Sequence, residues 1–141
     1  MAYQLENTFV IDTQDKSVGV ALPFKSANNG YFAVNYTTKE QIKTNLRNLI
    51  LTEPGERLSN PKFGTPLRKF IFEPYMEGEF EMKIESAITN AIKIYLPYIK
   101  IESIVFDNTD INKDKHLVNL ELNYSINFSA VPTVDTLTVT L

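Results

Sequence analysis

Residues 46–67 read LRNLILTEPGERLSNPKFGTPL, which is the apolar end of a helix followed by a loop rich in turn signals. The dipeptide Pro54-Gly55 is typical of a turn with glycine at positive φ, and Pro61 restricts the residue before it to extended conformations. Thr65 can then cap a helix in which Pro66 is the first residue. The sequence therefore predicts one fixed loop shape between two helices.

Helices are predicted on both sides of this loop. The upstream helix begins at Thr37-Thr38, where either threonine has a capping-box partner three residues later. Downstream, a short helix is predicted for residues 66–72 and a long one for about 77–96, which Pro97 ends. Apolar stripes with a period near 3.6 residues support the two long helices. They consist of Ile42, Leu46, Leu49 and Ile50 upstream, and of Phe80, Ile84, Ala87, Ile88, Ala91, Ile92 and Tyr95 downstream.

The last third of the chain is predicted to be β-structure. Residues 99–106 are strand-like, but their alternation breaks near Ser103, as it does at a β-bulge. Residues 118–128 and 136–141 alternate apolar and polar side chains without a miss. The predicted fold class is α+β, with two main helices packed on one face of a small, mainly antiparallel β-sheet whose other face is polar.

Two segments of different character are predicted. Residues 1–35 show little periodicity and are predicted to form an extended N-terminal arm with one short hairpin around the turn signal at residues 27–30. Residues 36–141 are predicted to form a single α+β domain, because 141 residues with 43% hydrophobic content supply one core of ordinary size. The apolar runs of the arm need a surface to cover, either on this domain or on a partner.

Composition excludes several classes of function. The chain has no cysteine, which removes disulfides, cysteine metal ligands and thiol nucleophiles. Its net charge is −3 and its basic residues are scattered among acids, so no nucleic-acid partner is expected. The first residues lack the basic and apolar regions of a signal peptide, and no apolar run is long enough to cross a membrane, so no membrane partner is expected. A protein–protein role passes all of these filters.

Catalytic chemistry receives little support from the residue types. Glycoside hydrolysis needs two carboxyl groups, one of them a general acid. Arg57 lies next to Glu56 and favours its charged form, which is unsuitable for a general acid. The simpler interpretation is that these two side chains bond to the loop backbone or to each other and fix the loop. No catalytic residue and no cofactor are therefore predicted, although the carboxylates near the loop are Glu53, Glu56, Glu73 and Glu77.

No metal site is predicted either. The single histidine, His116, lies in a polar turn between strands, where a surface position is the default. A nearby set of oxygen ligands has the spacing of a calcium-binding EF-hand loop, but Lys115 stands where that loop needs glycine. A hairpin loop rich in Asn and Asp explains the same residues, with Glu121 facing solvent from the next strand. The apparent ligands are Asp110, Asn112, Asp114 and Glu121.

The loop also carries a resemblance to a known family. Its T-x-x-G-E-R spacing followed by F-G resembles the motif of the baseplate wedge proteins of contractile phage tails, a family shared with type VI secretion baseplates and historically labelled "lysozyme-like". The resemblance extends upstream to residues 22–24 and downstream to Pro97, over roughly four-fifths of the chain. The residues that carry it are Thr52, Pro54, Gly55, Glu56, Arg57, Pro61, Phe63, Gly64 and Leu67.

The resemblance implies a structural subunit of a virion tail baseplate, assembled in the host cytoplasm in about six copies per particle. Each copy would bind the helical core bundle formed by other, larger baseplate wedge proteins and offer its sheet to tail sheath subunits. Sheath assembly would then start by β-strand pairing along the last strand. From the residues alone, this strand is as compatible with an internal position as with an edge. The pairing residues would be Leu137, Thr138, Val139, Thr140 and Leu141.

One departure from the family pattern affects docking to the wedge proteins. Many members read Glu-Pro-Arg where this chain reads Leu96, Pro97 and Tyr98, so these docking candidates lack the charged pair. Two alternatives to a structural subunit stay open. One is a tail-associated muramidase, a lysozyme-like glycoside hydrolase; the other is an adaptor or chaperone that leaves the particle before completion.

Overall fold

The computed structural model divides the chain into two compact units, Met1–Asn45 and Leu46–Leu141. The predicted division into a 1–35 arm and a 36–141 domain stays a prediction. The described residues are 16–27, 32–71, 79–107, 119–127 and 133–140. Several residues considered above lie outside these ranges, namely Glu73, Glu77, Asp110, Asn112, Asp114, Lys115, His116 and Leu141.

The first unit contains a two-stranded hairpin and the start of a helix. Strands β1 (Gly19–Val20) and β2 (Val34–Asn35) pair antiparallel, which confirms a short hairpin in this part of the chain. Helix α1 (Thr38–Leu51) follows. Thr37 Oγ1 accepts a hydrogen bond from the Glu40 N–H at 3.2 Å, and Glu40 Oε2 accepts one from the Thr37 N–H at 3.3 Å. Of the two possible capping boxes, this is the one that forms.

The second unit combines helices with an antiparallel sheet of three strands, which confirms the α+β class. The strand order is β3-β4-β5, and the longest helix, α3, contacts both α2 and β3. The apolar stripes of α1 and α3 supply most of the buried helical residues, as their spacing predicts. The elements of this unit are α2 (Leu67–Ile71), α3 (Glu79–Tyr95), β3 (Ile99–Asp107), β4 (Asn119–Ile126) and β5 (Thr133–Thr140).

The predicted β-bulge lies in β3. Ile101 pairs with Tyr124 and Ser103 pairs with Asn123, so Glu102 is the extra residue on the bulged strand. The bulge moves the inward positions by one residue, which explains why the alternation in the sequence breaks there. Strand β4 has no such break, and its inward side chains are Leu120, Leu122, Tyr124 and Ile126, all buried.

The outer face of the sheet is mainly polar, as predicted, with Val105 and Val134 as exposed apolar exceptions. Asn123 Nδ2 donates to Ser103 Oγ at 3.0 Å, and Thr136 Oγ1 donates to Asn123 Oδ1 at 2.7 Å, so hydrogen bonds cross all three strands. On the same face the Ser125 hydroxyl, 2.7 Å from the Glu102 carboxylate, together with Lys100, holds the pKa of Glu102 below its usual value.

Strand β5 begins three residues before the predicted start at residue 136. The difference arises at Asp135, a charged residue that occupies an inward position opposite Tyr124 and so hides the alternation. The Tyr124 hydroxyl, on a side chain with no exposed surface, donates to Asp135 Oδ2 at 3.5 Å. Burial and the neighbouring carboxylate raise the pKa of Tyr124 well above its ordinary value, so this hydroxyl stays a donor.

Candidate functional site: the loop after α1 and the edge of the sheet

Backbone hydrogen bonds close the loop that follows α1. The Thr52 N–H and hydroxyl both donate to the Asn48 carbonyl, at 3.1 and 2.6 Å, and end the helix. The Thr52 carbonyl then accepts from the Thr65 N–H at 2.9 Å, and the Pro61 carbonyl accepts from the Gly55 N–H at 2.8 Å. These last two bonds tie the first half of the loop to its second half.

Two glycines permit this path for different reasons. Gly55 and Gly64 have φ values of 103° and 120°, in the region that side chains with a Cβ rarely adopt. A Cβ at Gly55 would have no neighbour within 4 Å, whereas a Cβ at Gly64 would overlap the Thr52 carbonyl oxygen. Gly64 is therefore required for its backbone conformation and for the close approach of two chain segments.

Two carboxylates of the loop accept hydrogen bonds from backbone N–H groups, and one of them caps α2. Glu53 Oε1 accepts from the Arg68 N–H in the first turn of α2 at 2.8 Å, and Glu56 Oε2 accepts from the Glu53 N–H at 3.0 Å. The prediction that Thr65 caps α2 is wrong. The buried Thr65 hydroxyl donates instead to the Ile50 carbonyl at 2.7 Å, because the end of α1 leaves carbonyls that need a donor.

A stack of side chains connects the loop to the last turn of α3. The guanidinium carbon of Arg57 lies 3.8 Å from the centroid of the Phe63 ring, which is a cation–π contact. Phe63 in turn meets the Tyr95 ring edge-on, with centroids 5.0 Å apart. The role of Tyr95 was not visible in the sequence, where this residue reads only as one more member of the apolar stripe.

The cap formed by Glu53 can be tested by substitution. Glu53→Ala is expected to lower the free energy of unfolding by about 1 kcal/mol, because the Arg68 N–H in the first turn of α2 loses its acceptor. Glu53→Gln keeps an oxygen acceptor and should lose about half as much. The matched control is Glu85→Ala on the exposed face of α3. Equal denaturant midpoints for Glu53→Ala and the control would contradict the capping role.

The loop carboxylates take part in the hydrogen bonds that fix the loop. Glu53 and Glu56 each accept a hydrogen bond from a backbone N–H. Within the described ranges no group of three or more acidic or histidine side chains could hold a metal ion. In the same part of the chain, no helix combines the length and hydrophobicity of a membrane span.

Strand β5 pairs with β4 on one side only, so among the described strands it is an edge of the sheet. The ladder pattern fixes which of its backbone groups point outward. The Asn127 N–H donates to the Tyr98 carbonyl at 3.1 Å, one position beyond the pair Ile99 and Ile126 that ends the ladder of β3 and β4. Because ladder bonds alternate along an antiparallel strand, Ser125 also bonds towards β3, whereas Tyr124 and Leu122 bond towards β5.

The outward groups of β5 are therefore those of the threonines. Asp135 and Leu137 stand opposite Tyr124 and Leu122 and bond to β4, and the residues between them point away. The Thr136 N–H agrees with this assignment, since it donates to Asp135 Oδ1 at 2.9 Å. Thr138 and Thr140 follow with the same orientation. Each directs its N–H and C=O groups away from β4.

The two edges of the sheet differ in how they are protected. Strand β3 has the bulge at Glu102 and a lysine at position 100, both of which discourage pairing with another strand. The described residues of β5 contain no bulge, no proline and no lysine or arginine, and their one charged side chain, the inward Asp135, is bonded to the Tyr124 hydroxyl. Side chains Leu137 and Val139 are buried on the inner face, and Thr138 is exposed on the outer one. We call the outward backbone of Thr136–Thr140 the open edge.

The three docking candidates after α3 are not equally accessible. Leu96 is buried, and its N–H donates to the Ile92 carbonyl at 2.8 Å as a continuation of the helix. Pro97 is exposed and Tyr98 is half-buried. A partner at this corner could therefore contact Pro97 and Tyr98 but not the Leu96 side chain.

Comparison with known families identifies the family of this chain. The sequence profile of the family described as "baseplate wedge protein gp25" matches residues 36–130, which is more than half of the chain and includes the whole loop. The chain belongs to this family. Membership supports a structural role in a baseplate. No curated protein matches the sequence.

Solved structures with the same fold include a protein from Geobacter sulfurreducens labelled a tail lysozyme, at 19% identity and a TM-score of 0.62, covering 73% of this chain and 88% of the other. A chain of the anti-feeding prophage baseplate has 19% identity and a TM-score of 0.55, and the match covers 84% of this chain and 81% of the other. A chain of the postcontracted pyocin R2 baseplate has 14% identity and a TM-score of 0.50, and the match covers 84% of this chain and 96% of the other. At these identities the likeness establishes the fold.

Proposed function

We propose that this chain is a structural wedge subunit of a contractile-tail baseplate, and that it starts sheath assembly by pairing its open edge with a strand of a sheath subunit. The observation that carries the proposal is the outward backbone of β5, which pairs with no further strand among the described residues. An incoming strand would bond to the N–H and C=O groups of Thr138 and Thr140 and extend the sheet from three strands to four. Baseplate chains of the anti-feeding prophage and of pyocin R2 share this fold.

The side chains of β5 specify which strand would fit. Leu137 and Val139 lie on the buried face, and Thr136, Thr138 and Thr140 lie on the polar face. A strand in register would continue both faces, with apolar side chains inward and short polar side chains outward. A slip of one residue would place its apolar side chains on the polar face, so the register is defined.

The loop supplies the stiffness that this role requires. It fixes the end of α1 to the start of α2 through Thr52, Thr65 and Glu53, and it reaches α3 through Phe63 and Tyr95. We propose that the larger wedge proteins bind near Pro97 and Tyr98, in about six copies per particle. Movement of the opening baseplate would then pass through a rigid domain to the first sheath ring, without nucleic acid or membrane contacts.

The proposed role is not enzymatic. The tail-lysozyme label of one protein with this fold concerns that protein. In this chain the loop carboxylates Glu53 and Glu56 serve as hydrogen-bond acceptors for backbone N–H groups, and a catalytic role for either would break a hydrogen bond that fixes the loop. Absence of zymographic activity in the purified protein is the expected result.

Thr138→Pro tests the proposal at the open edge. Proline removes an N–H that points away from β4, a position where an edge strand tolerates it, so the chain is expected to fold and enter baseplates with a loss of about 1 kcal/mol. Pairing with a sheath strand should fail, because the donor is missing and the ring blocks approach. Negative-stain electron microscopy should show baseplates on tail tubes without sheath.

Thr138→Ala is the matched control, since it removes the same side chain and keeps the N–H. Particles with this variant should carry normal sheaths. Normal sheaths with Thr138→Pro would refute pairing at this edge. A melting temperature for Thr138→Pro within a few degrees of the control, corresponding to roughly 1 kcal/mol, would verify that any sheath defect does not come from misfolding.

A further inference from the structure

One backbone donor of the open edge is already occupied by a side chain of β5 itself. The Thr136 N–H points away from β4, and Asp135 Oδ1 accepts its hydrogen bond at 2.9 Å. The N–H groups of Thr138 and Thr140 point the same way, and in the described part of the chain no side chain accepts a hydrogen bond from either. The donors of the open edge are therefore not equivalent, because the one at Thr136 is closed.

The carboxylate that closes this donor is held from the interior of the protein. Asp135 occupies an inward position opposite Tyr124, and the Tyr124 hydroxyl donates to its second oxygen, Oδ2, at 3.5 Å. The Tyr124 side chain has no exposed surface, so a carboxylate that swung away would take this acceptor from a buried hydroxyl. The hydroxyl therefore favours the position in which the carboxylate covers the Thr136 N–H.

A backbone carbonyl of an incoming strand is a poor substitute for this carboxylate. A hydrogen bond to an ionised acceptor is roughly twice as strong as one between neutral groups, so the exchange would weaken the bond made by the Thr136 N–H. The arriving carbonyl oxygen would also meet the negative charge of Asp135 at close range. Inward-pointing charged side chains are a known protection of sheet edges. Pairing at Thr136 is therefore disfavoured, although its backbone points outward.

Asp135 adds a restriction on register that the alternation of β5 does not contain. A slip of one residue exchanges the two faces of an incoming strand, but a slip of two residues keeps them. A two-residue slip towards the start of β5 would bring the strand to the Thr136 N–H and its carboxylate. We infer that Asp135 is a stop at the open edge, which confines an incoming strand to the donors of Thr138 and Thr140 and rejects that slip. The inference rests on the proposed function, in which the incoming strand is the sheath strand.

A pair of proline variants tests the stop in assembled particles. Thr136→Pro removes an N–H that the sheath strand does not use, so its particles should carry normal sheaths, whereas those with Thr138→Pro should lack them. A melting temperature for Thr136→Pro within a few degrees of that for Thr138→Pro verifies the fold. Folded Thr136→Pro particles without sheath would overturn the stop alone. Normal sheaths with both variants would refute pairing at this edge, and the stop with it.

Amide hydrogen exchange of the purified chain tests the stop without any sheath. The Thr136 amide should exchange at least about tenfold more slowly than the Thr138 amide, after correction for intrinsic rates. Tyr124→Phe with Asp135→Ala removes both side chains of the buried bond and should abolish this difference. Tyr124→Phe alone is the matched control and should preserve it, because the carboxylate stays on the Thr136 N–H. Equal exchange of the two amides in the unchanged chain, or a difference that survives the double variant, would overturn the stop.

Discussion

Gly64→Ala is expected to lower the free energy of unfolding by about 3–5 kcal/mol, which is large for the addition of one methyl group. The alanine must adopt a φ of 120° and its Cβ must displace the Thr52 carbonyl oxygen. That oxygen accepts the Thr65 N–H, so the hydrogen bond between the two halves of the loop is lost as well. Thermal melting by circular dichroism should show a decrease in Tm of about 10 °C or more.

Gly55→Ala is the matched control for this prediction. Gly55 has a similar φ of 103°, but a Cβ there meets nothing within 4 Å, so only the backbone strain remains. We expect a loss of about 1–2 kcal/mol. Equal losses at the two glycines would mean that the close approach at Thr52 contributes nothing. In that case the loop would not have the rigidity assigned to it.

Deletion of residues 136–141 is expected to unfold the second unit. Leu137 and Val139 are each 1% exposed on the inner face of the sheet, and β4 would lose its partner strand on that side. One buried leucine truncated to alanine costs about 2–5 kcal/mol, so removal of both side chains with their strand should exceed about 5 kcal/mol. The truncated chain should be insoluble or lack a cooperative thermal transition.

A variant in which all three outer threonines are changed to valine tests the outer face of β5 separately from its buried side chains. Thr136→Val, Thr138→Val and Thr140→Val keep the strand and its backbone, and they remove hydroxyls that bond to Asn123 and Asn119. We expect a loss of about 1–2 kcal/mol and a folded protein. A truncated chain that melts like this variant would show that the inner side chains of β5 are dispensable.

Periodicity in the sequence was sufficient to predict the main elements of the described chain. The stripes of α1 and α3, the alternation of β4 and the bulge near Ser103 all follow from which residues must face a core. These signals are local, since each depends on residues a few positions apart. The motif of the loop was also visible, because turns restrict residue type at single positions.

Contacts between distant residues could not be predicted in this way. Glu53 caps α2 through the N–H of Arg68, fifteen residues later, because the loop folds back on itself. The position of Thr65 before a helix predicts a cap, but this rule ignores the unpaired carbonyls at the end of α1, one of which takes the Thr65 hydroxyl. The alternation predicts a strand from residue 136, and it does not reveal Asp135 as an inward residue because the donor to its carboxylate, Tyr124, lies on another strand.

The hairpin of the first unit shows a different limit of sequence analysis. Its strands are two residues long, which is too short for alternation in the sequence to show which side chains face inward. Apolar side chains at alternate positions would ordinarily be assigned to the inner face. Here Asn35 and Gly19 face α1 instead, and the apolar side chains are exposed. Only the hydrogen bonds of Asn35 reveal which face is inside.

Cryo-electron microscopy of the baseplate with its first sheath ring attached tests the central claim most directly. We predict a strand of a sheath subunit about 4.8 Å from β5, with main-chain hydrogen bonds to Thr138 and Thr140. Its side chains should continue the apolar face of Leu137 and Val139. A map in which β5 faces solvent, or in which the sheath strand lies beside β3, would contradict the account.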